Sequence, residues 1–153
     1  MEIEARLKQL GLDLPEPPIP VGAYLPARRT GDLLFLSGTT CYTAGGLLYT
    51  GRVGGELTLE QGYAASRQTM LNLLSVAKAE LSDLDRVECV VKLNGYVNST
   101  PDFDRQPEVI NGASDLLVQL FGERGRHART SIGVNVLPNN IPVEIEMVLQ
   151  VRG

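Results

Sequence analysis

The sequence predicts an α+β fold in which one β-sheet carries its two main helices on a single face. Three observations lead there. A strand-like apolar run occurs early (Leu33 to Ser37), and strand-like alternation follows in the middle (Val87, Cys89, Val91, Leu93) and in two consecutive runs at the end, with two helical stretches between them. Thr58-Leu59-Glu60-Gln61 is a capping box, in which the Thr hydroxyl and the Gln side chain satisfy backbone donors at a helix start. The resulting order of hairpin, long helix, strand, helix and two strands is segregated, and differs from the regular alternation that builds a parallel sheet.

Residues 1–11 have Ile3, Leu7 and Leu10 on one helical face, with Gly11 as a stop, and predict a short accessory helix. Leu14 to Pro20 contains four prolines, which remove donors and fix backbone angles, so it predicts a stiff extended connector. Residues 1–20 are thus a helix and proline-rich connector, and 21–153 a single domain. Ala23 to Arg29 and Leu33 to Ser37 predict two strands joined through Thr30-Gly31-Asp32. Thr39 to Glu56 carries Gly45, Gly46, Gly51, Gly54 and Gly55 and reads as loop, with one extended piece near Leu47 to Tyr49. No phosphate-loop lysine follows these glycines.

The capping box opens a long helix to about Ser82, with Tyr63, Met70, Leu74, Ala77 and Leu81 as its core stripe. Arg86 to about Val97 predicts a strand with a bulge at Asn94-Gly95. After a turn bracketed by Pro101 and Pro107, Val109, Ala113, Leu116, Leu117 and Leu120 mark a second amphipathic helix ending near Gly122. Apolar residues run without alternation in Leu33 to Leu36, at Val90-Val91 and at Met147 to Leu149. Both sheet faces therefore carry apolar surface, which predicts a homo-oligomer that buries the face without helices.

A length of 153 residues with 43% hydrophobic content suits one compact domain. The net charge of −4 comes from 14 basic and 18 acidic residues, and the isoelectric point is near 5.0. Both argue against a broad nucleic-acid footprint. The cluster Arg124, Arg126, His127 and Arg129 reads as a loop face large enough for a small anion only. Cys41 and Cys89 make no disulfide framework, which points to a reducing, cytoplasmic setting. Cys89 reads as a small buried thiol and Cys41 as the more exposed one. His127 is the single histidine, so no metal and no cofactor are expected. Glu2 and Glu4 stand where a signal core would be apolar, and no segment reaches the roughly 18 apolar residues of a membrane span.

Chemistry concentrates in the last quarter of the chain. Arg129 opens an alternating strand (Ile132, Val134, Val136), and Leu137-Pro138 turns the chain. In the final strand Val143, Ile145, Met147, Leu149 and Val151 share one face, leaving Glu144 and Glu146 on the other. This pattern predicts a guanidinium and a carboxylate on neighbouring strands. The arginine fork suits a carboxylate or phosphate, and the carboxylate can orient water or move a proton. A plain cross-strand ion pair between Arg129 and either glutamate is the competing reading.

Arg129-Thr-Ser-Ile-Gly-Val-Asn-Val-Leu137-Pro138 followed by Val143-Glu144-Ile145-Glu146 closely resembles the Rid family of reactive intermediate deaminases, also called YjgF-like or L-PSP endoribonuclease-like proteins. Gly22-Ala23-Tyr24, Leu36-Ser37-Gly38 and Asn111, at the opening of the second helix, are weaker marks of the same family, and the resemblance spans residues 20–153. It implies a chorismate-mutase-like fold and a homotrimer with three clefts between subunits. It also implies hydrolysis of enamine or imine acids to 2-oxo acids and ammonia. By the same resemblance Arg129 would hold the substrate carboxylate and Glu144 would position water, with Glu146 as its rival. Tyr24, Ser37, Gly38, Asn111 and Ser131 would line the cleft. Ser131 stands where many deaminase members have cysteine, and Ala23-Tyr24-Leu25 departs from a Pro-Tyr-Ser run, as in a divergent branch. A non-catalytic carboxylate-binding trimer and an endoribonuclease are the alternative functions, the latter disfavoured by one histidine and an acidic chain.

Overall fold

The computed structural model describes residues 1–153. Along the chain run α1 (Glu2–Gln9), β1 (Ala27–Thr30), β2 (Leu33–Thr39), β3 (Tyr42–Thr43), β4 (Gly46–Leu47), α2 (Leu59–Leu81), β5 (Val87–Asn98), α3 (Gln106–Phe121), β6 (Ala128–Val134) and β7 (Val143–Val151). Single 3-10 turns lie at Leu84–Arg86, Gly122–Gly125 and Pro138–Asn140.

Five strands form one sheet in the order β1-β2-β7-β5-β6, and β3 with β4 makes a separate small hairpin. All neighbours in the large sheet are antiparallel except β5 and β6. β6 can lie parallel to β5 because α3 returns the chain to the same end of the sheet, as a crossover must. α2 covers β2 and β7, while α3 covers β5 and β6.

β7 sits at the centre because it is the most regular alternator. Val143, Ile145, Met147, Leu149 and Val151 are all buried beneath the helices, and the residues between them are half-exposed on the far face. Each fully buried aliphatic side chain is worth about 1.5–3 kcal/mol, so this one strand anchors much of the core. The capping box is formed: Gln61 N–H donates to Thr58 Oγ1 at 3.1 Å, and Thr58 N–H to Gln61 Oε1 at 2.9 Å. α2 ends at Ser82, which adopts a left-handed conformation with φ 65°.

α2 and α3 meet at very short range. A Cβ on Gly112 would lie 2.1 Å from the Tyr63 carbonyl oxygen of α2, so only glycine permits this crossing. Gly112 is flanked by Asn111 and lies two residues before Ser114. The depth of the crossing therefore sets where α3 presents both polar side chains to β6.

Several expectations from sequence need correction. The stretch after Thr39 holds a β3–β4 hairpin, where one extended piece was expected. Gly95 is not a bulge: it pairs regularly with Ile145 and Ser131, and its missing side chain makes room for Ile110, whose Cδ1 would stand 2.6 Å from a Cβ there. The register shifts of β5 lie earlier, between Val87 and Cys89 and between Val90 and Lys92. Asn111 lies in the second turn of α3, because Pro107 is accepted inside the first turn, where its missing N–H has no partner to lose. Cys41 is fully buried and Cys89 is half-exposed, the reverse of the expectation. No helix of the chain is long and apolar enough to cross a membrane.

Candidate functional site

Arg129 and Glu144 do not stand on neighbouring strands, since β5 runs between β6 and β7. At about 4.8 Å per strand, the two backbones are about 10 Å apart. They also use opposite faces. Arg129 is in register with Leu93, which is buried under α3, whereas Glu144 is in register with Tyr96 on the face without helices. Arg129 makes no ion pair with either glutamate, so the cross-strand pairing reading fails within the chain.

Around Arg129 the polar partners come from α3. Its Nη1 donates to Asn111 Oδ1 at 2.8 Å and to Ser114 Oγ at 3.1 Å. Both contacts use one nitrogen, leaving the Nε–Nη2 edge of the guanidinium without a protein acceptor. That edge carries two parallel donors, the geometry that takes a carboxylate bidentately. Burial lowers the pKa of Arg129 from its ordinary value, with Asp115 acting in the opposite direction. A partly dried cation with an open edge is a stronger anion ligand than one in water. Ser131, two residues along β6 on the same face, has a buried hydroxyl with no hydrogen-bond partner. Arg129, Asn111 and Ser131 thus form one cluster.

The second cluster gathers around Glu144. Ser37 and Gly38 form a bulge in β2, where the register steps from Leu36–Met147 to Thr39–Ile145. The bulge turns the Gly38 backbone against Glu144, and a Cβ on Gly38 would lie 3.2 Å from Glu144 Cδ. Ser37 Oγ donates to Leu25 O at 2.6 Å, and Ser37 N–H donates to Pro26 O at 2.9 Å, which ties the segment between the proline connector and β1 to the sheet. The connector, the bulge and the Pro138–Asn140 turn enclose a cavity of about 700 Å³. Tyr24, Ser37, Gly38 and Glu144 all line it, and Tyr24 is half-exposed there.

Glu144 and Glu146 are separated by their partners. Glu146 Oε1 accepts from Asn94 Nδ2 and from the Tyr96 hydroxyl, both at 3.0 Å. Glu144 has no hydrogen-bonding or ionic partner, and burial, reinforced by the negative charge of Glu146, raises its pKa above the ordinary carboxylate value. An unpaired carboxyl whose proton affinity is raised by burial can exchange protons with a substrate or water. Glu146 is committed to the sheet.

Two features escaped the sequence. One is the Ser37-Gly38 bulge, for which Ser-Gly ending a non-alternating apolar run is the only local sign. The other is Ser114 as a partner of Arg129, visible only as a residue one helical turn from Asn111.

A family model described as "YjgF/chorismate mutase-like, putative endoribonuclease" matches residues 4–149. The protein TCP17 of Trypanosoma cruzi is 42% identical over 151 residues, covering 98% of this chain and 94% of that protein. A solved structure described as a putative endoribonuclease from Shewanella oneidensis MR-1 superposes with a TM-score of 0.95 at 35% identity, covering 99% of this chain and 100% of that one. RidA from an Antarctic Psychrobacter species superposes with a TM-score of 0.62 at 26% identity, covering 89% and 94%.

Proposed function

Because the chain belongs to the YjgF/chorismate mutase-like family, we propose that it hydrolyses small 2-imino or enamine acids to 2-oxo acids and ammonia, in clefts completed between adjacent copies of a homotrimer. The observation that carries this reading is the division of the site: an open arginine edge and a free, protonatable carboxyl occur in one chain but on opposite faces of its sheet. Neither cluster is a complete site. Joining the Arg129 cluster of one copy to the Glu144 cluster of the next supplies both halves.

The exposed sheet face favours such an assembly. Phe35 and Ile132 are each 45% exposed on it, beside Val148 and Tyr96. An apolar patch of this kind on a sheet with no covering layer is what a closed symmetric oligomer buries.

In the proposed reaction Arg129 holds the substrate carboxylate through its Nε–Nη2 edge, with Asn111 and Ser131 beside it. Glu144 of the neighbouring copy accepts a proton from water as the water oxygen bonds to the imine carbon. The C=N π pair moves to nitrogen, which takes that proton back from Glu144 to give the neutral carbinolamine. The carbinolamine hydroxyl then gives its proton to Glu144 as the C=O bond forms, and Glu144 passes it to the nitrogen, which leaves with the C–N pair as ammonia. The imine carbon is already electrophilic, so placing water and substrate together supplies much of the acceleration. A raised Glu144 pKa suits a group that must both take and return a proton.

The endoribonuclease reading has less support, since the chain carries a net charge of −4 and its one histidine is engaged by Gly125 and Ser114. The test is release of 2-oxo acid from freshly generated 2-iminopropanoate and 2-iminobutanoate. Arg129→Ala is expected to lower kcat/KM by about 100-fold or more, the scale for losing a partly desolvated charged contact, with the oligomer intact. Unchanged activity in that variant refutes the site, and carboxylate binding without turnover by wild type favours a regulatory trimer.

A further inference from the structure

Arg129 is held by a chain of hydrogen bonds that reaches beyond its own contacts. His127 Nδ1 lies 2.6 Å from the Gly125 carbonyl oxygen, and His127 Nε2 lies 2.9 Å from Ser114 Oγ. A carbonyl only accepts, so Nδ1 carries the proton in the neutral ring. Nε2 is then an acceptor, and Ser114 O–H must point towards it. With its proton so directed, Ser114 Oγ turns its lone pairs to Arg129 Nη1, 3.1 Å away. One backbone carbonyl thereby fixes the sense of every bond up to the guanidinium.

We propose that His127 is a positioning residue for Arg129: through the Ser114 hydroxyl it orients the guanidinium so that the Nε–Nη2 edge stays open to a carboxylate, and it loosens that hold when the ring gains a second proton. The proposal rests on the carboxylate-binding reading of Arg129.

Protonation reverses the chain. Nε2–H would then donate into Ser114 Oγ and occupy a lone pair, the hydroxyl proton would have to swing away from the ring, and a second cation would stand beside the guanidinium. Arg129 would share its acceptor with a like charge. The groups facing His127 oppose that state. α3 presents the uncharged Ser114, and Asp115 beside it is tied to Tyr63 OH at 2.8 Å. The Gly122–Gly125 turn presents a carbonyl, and its Glu123 is paired with Arg126 at 3.0 Å. β6 presents Arg129 itself. Burial first, and the Arg129 charge after it, lower the His127 pKa from its ordinary value, with the Gly125 contact opposing. The neutral ring, with its fixed direction, therefore prevails at neutral pH, and the hold is lost as pH falls through the lowered His127 pKa.

His127 is the single histidine of the chain, so its imidazole signals are unambiguous. The experiment follows imidazole ¹⁵N shifts and the affinity for 2-oxobutanoate from pH 8 to pH 5, in wild type, His127→Gln, His127→Phe and Ser114→Ala. Wild type is expected to show the Nδ1–H tautomer at pH 8 and to lose roughly three- to tenfold in affinity as the ring protonates, the worth of about one hydrogen bond. His127→Gln, whose amide oxygen can still accept from Ser114, should match wild type at pH 8 and lack the pH dependence. His127→Phe and Ser114→Ala should be weakened by the same factor at pH 8, again without pH dependence. An Nε2–H tautomer, a wild-type profile no steeper than that of His127→Gln, or full affinity in both Ser114→Ala and His127→Phe overturns the proposal. Failure of the carboxylate reading itself looks different: 2-oxobutanoate would bind Arg129→Ala as it binds wild type, and the proposal would fall with it.

Discussion

Replacing Gly112 by alanine should weaken the fold and the Arg129 cluster together. The added Cβ would stand 2.1 Å from the Tyr63 carbonyl oxygen, 3.0 Å from its carbonyl carbon and 3.1 Å from the Arg67 nitrogen. Real Cβ–oxygen contacts begin near 3.0 Å, so α2 and α3 must separate by about 1 Å, and both obstructing groups are backbone. Overpacking of this kind costs about 1–3 kcal/mol or more, while alanine recovers about 1 kcal/mol of helix propensity. A net loss of about 2 kcal/mol remains, which in a chain of this size lowers Tm by about 4–8 °C. Gly62→Ala is the internal control. The nearest atoms to its Cβ would be Val109 and Val53 methyls at 3.1–3.2 Å, side chains that can give way, so it should stay within about 1 kcal/mol of wild type. Calorimetry at matched protein concentration reads both variants, since the Tm of an oligomer depends on concentration. Gly112→Ala should also raise KM for the imino acid, because Asn111 and Ser114 move with α3. A Gly112→Ala protein as stable as wild type would refute the helix crossing as described.

Glu144→Gln should abolish turnover yet stabilise the protein. The folded pKa of Glu144 is raised above 4.5, so the folded chain binds this proton more tightly than the unfolded one and loses stability as pH rises through the folded value. The variant should therefore gain about 1–2 °C in Tm at pH 7, a modest effect because the side chain is only partly buried, and nothing at pH 4; a lower Tm at pH 7 would contradict the unpaired carboxyl. Asp85 acts on α1, which has no side-chain cap of its own, by accepting from Glu2 N–H at 2.6 Å and Ile3 N–H at 2.9 Å. Led by the Ile3 contact, these hold its pKa at about 2, so the stability it contributes is present above pH 3.8 and lost as pH falls towards 2. Asp85→Ala should speed amide exchange in α1 by roughly three- to tenfold at pH 6, and unaltered exchange would remove this role.

The helices and the central strand were legible because their signals are local. The Thr58 capping box, the stripe along α2 and the strict alternation of β7 each place a residue by its neighbours in sequence. Strand order is a long-range property, and nothing near Arg129 in the chain shows that β5 separates it from Glu144. The alternation of β6 also misleads about its faces. Ile132, and Val136 just past the end of the strand, look like core, yet they are 45% and 56% exposed, while Arg129 and Ser131 turn towards α3. That inversion makes physical sense if the cover for Ile132 comes from another copy of the chain. The choice between Glu144 and Glu146 was open for the same reason: only the folded sheet brings Asn94 and Tyr96 onto Glu146.

Mixing two inactive variants tests the shared site most directly. Arg129→Ala and Glu144→Gln proteins, unfolded together in equal amounts and refolded, would assort at random in a closed symmetric oligomer. If each cleft takes its arginine from one copy and its glutamate from the next, about a quarter of the clefts regain both groups, whatever the number of subunits. The mixture should recover about 25% of wild-type imine hydrolysis, where either protein alone shows almost none. A mixture no more active than its components would contradict a site divided between copies.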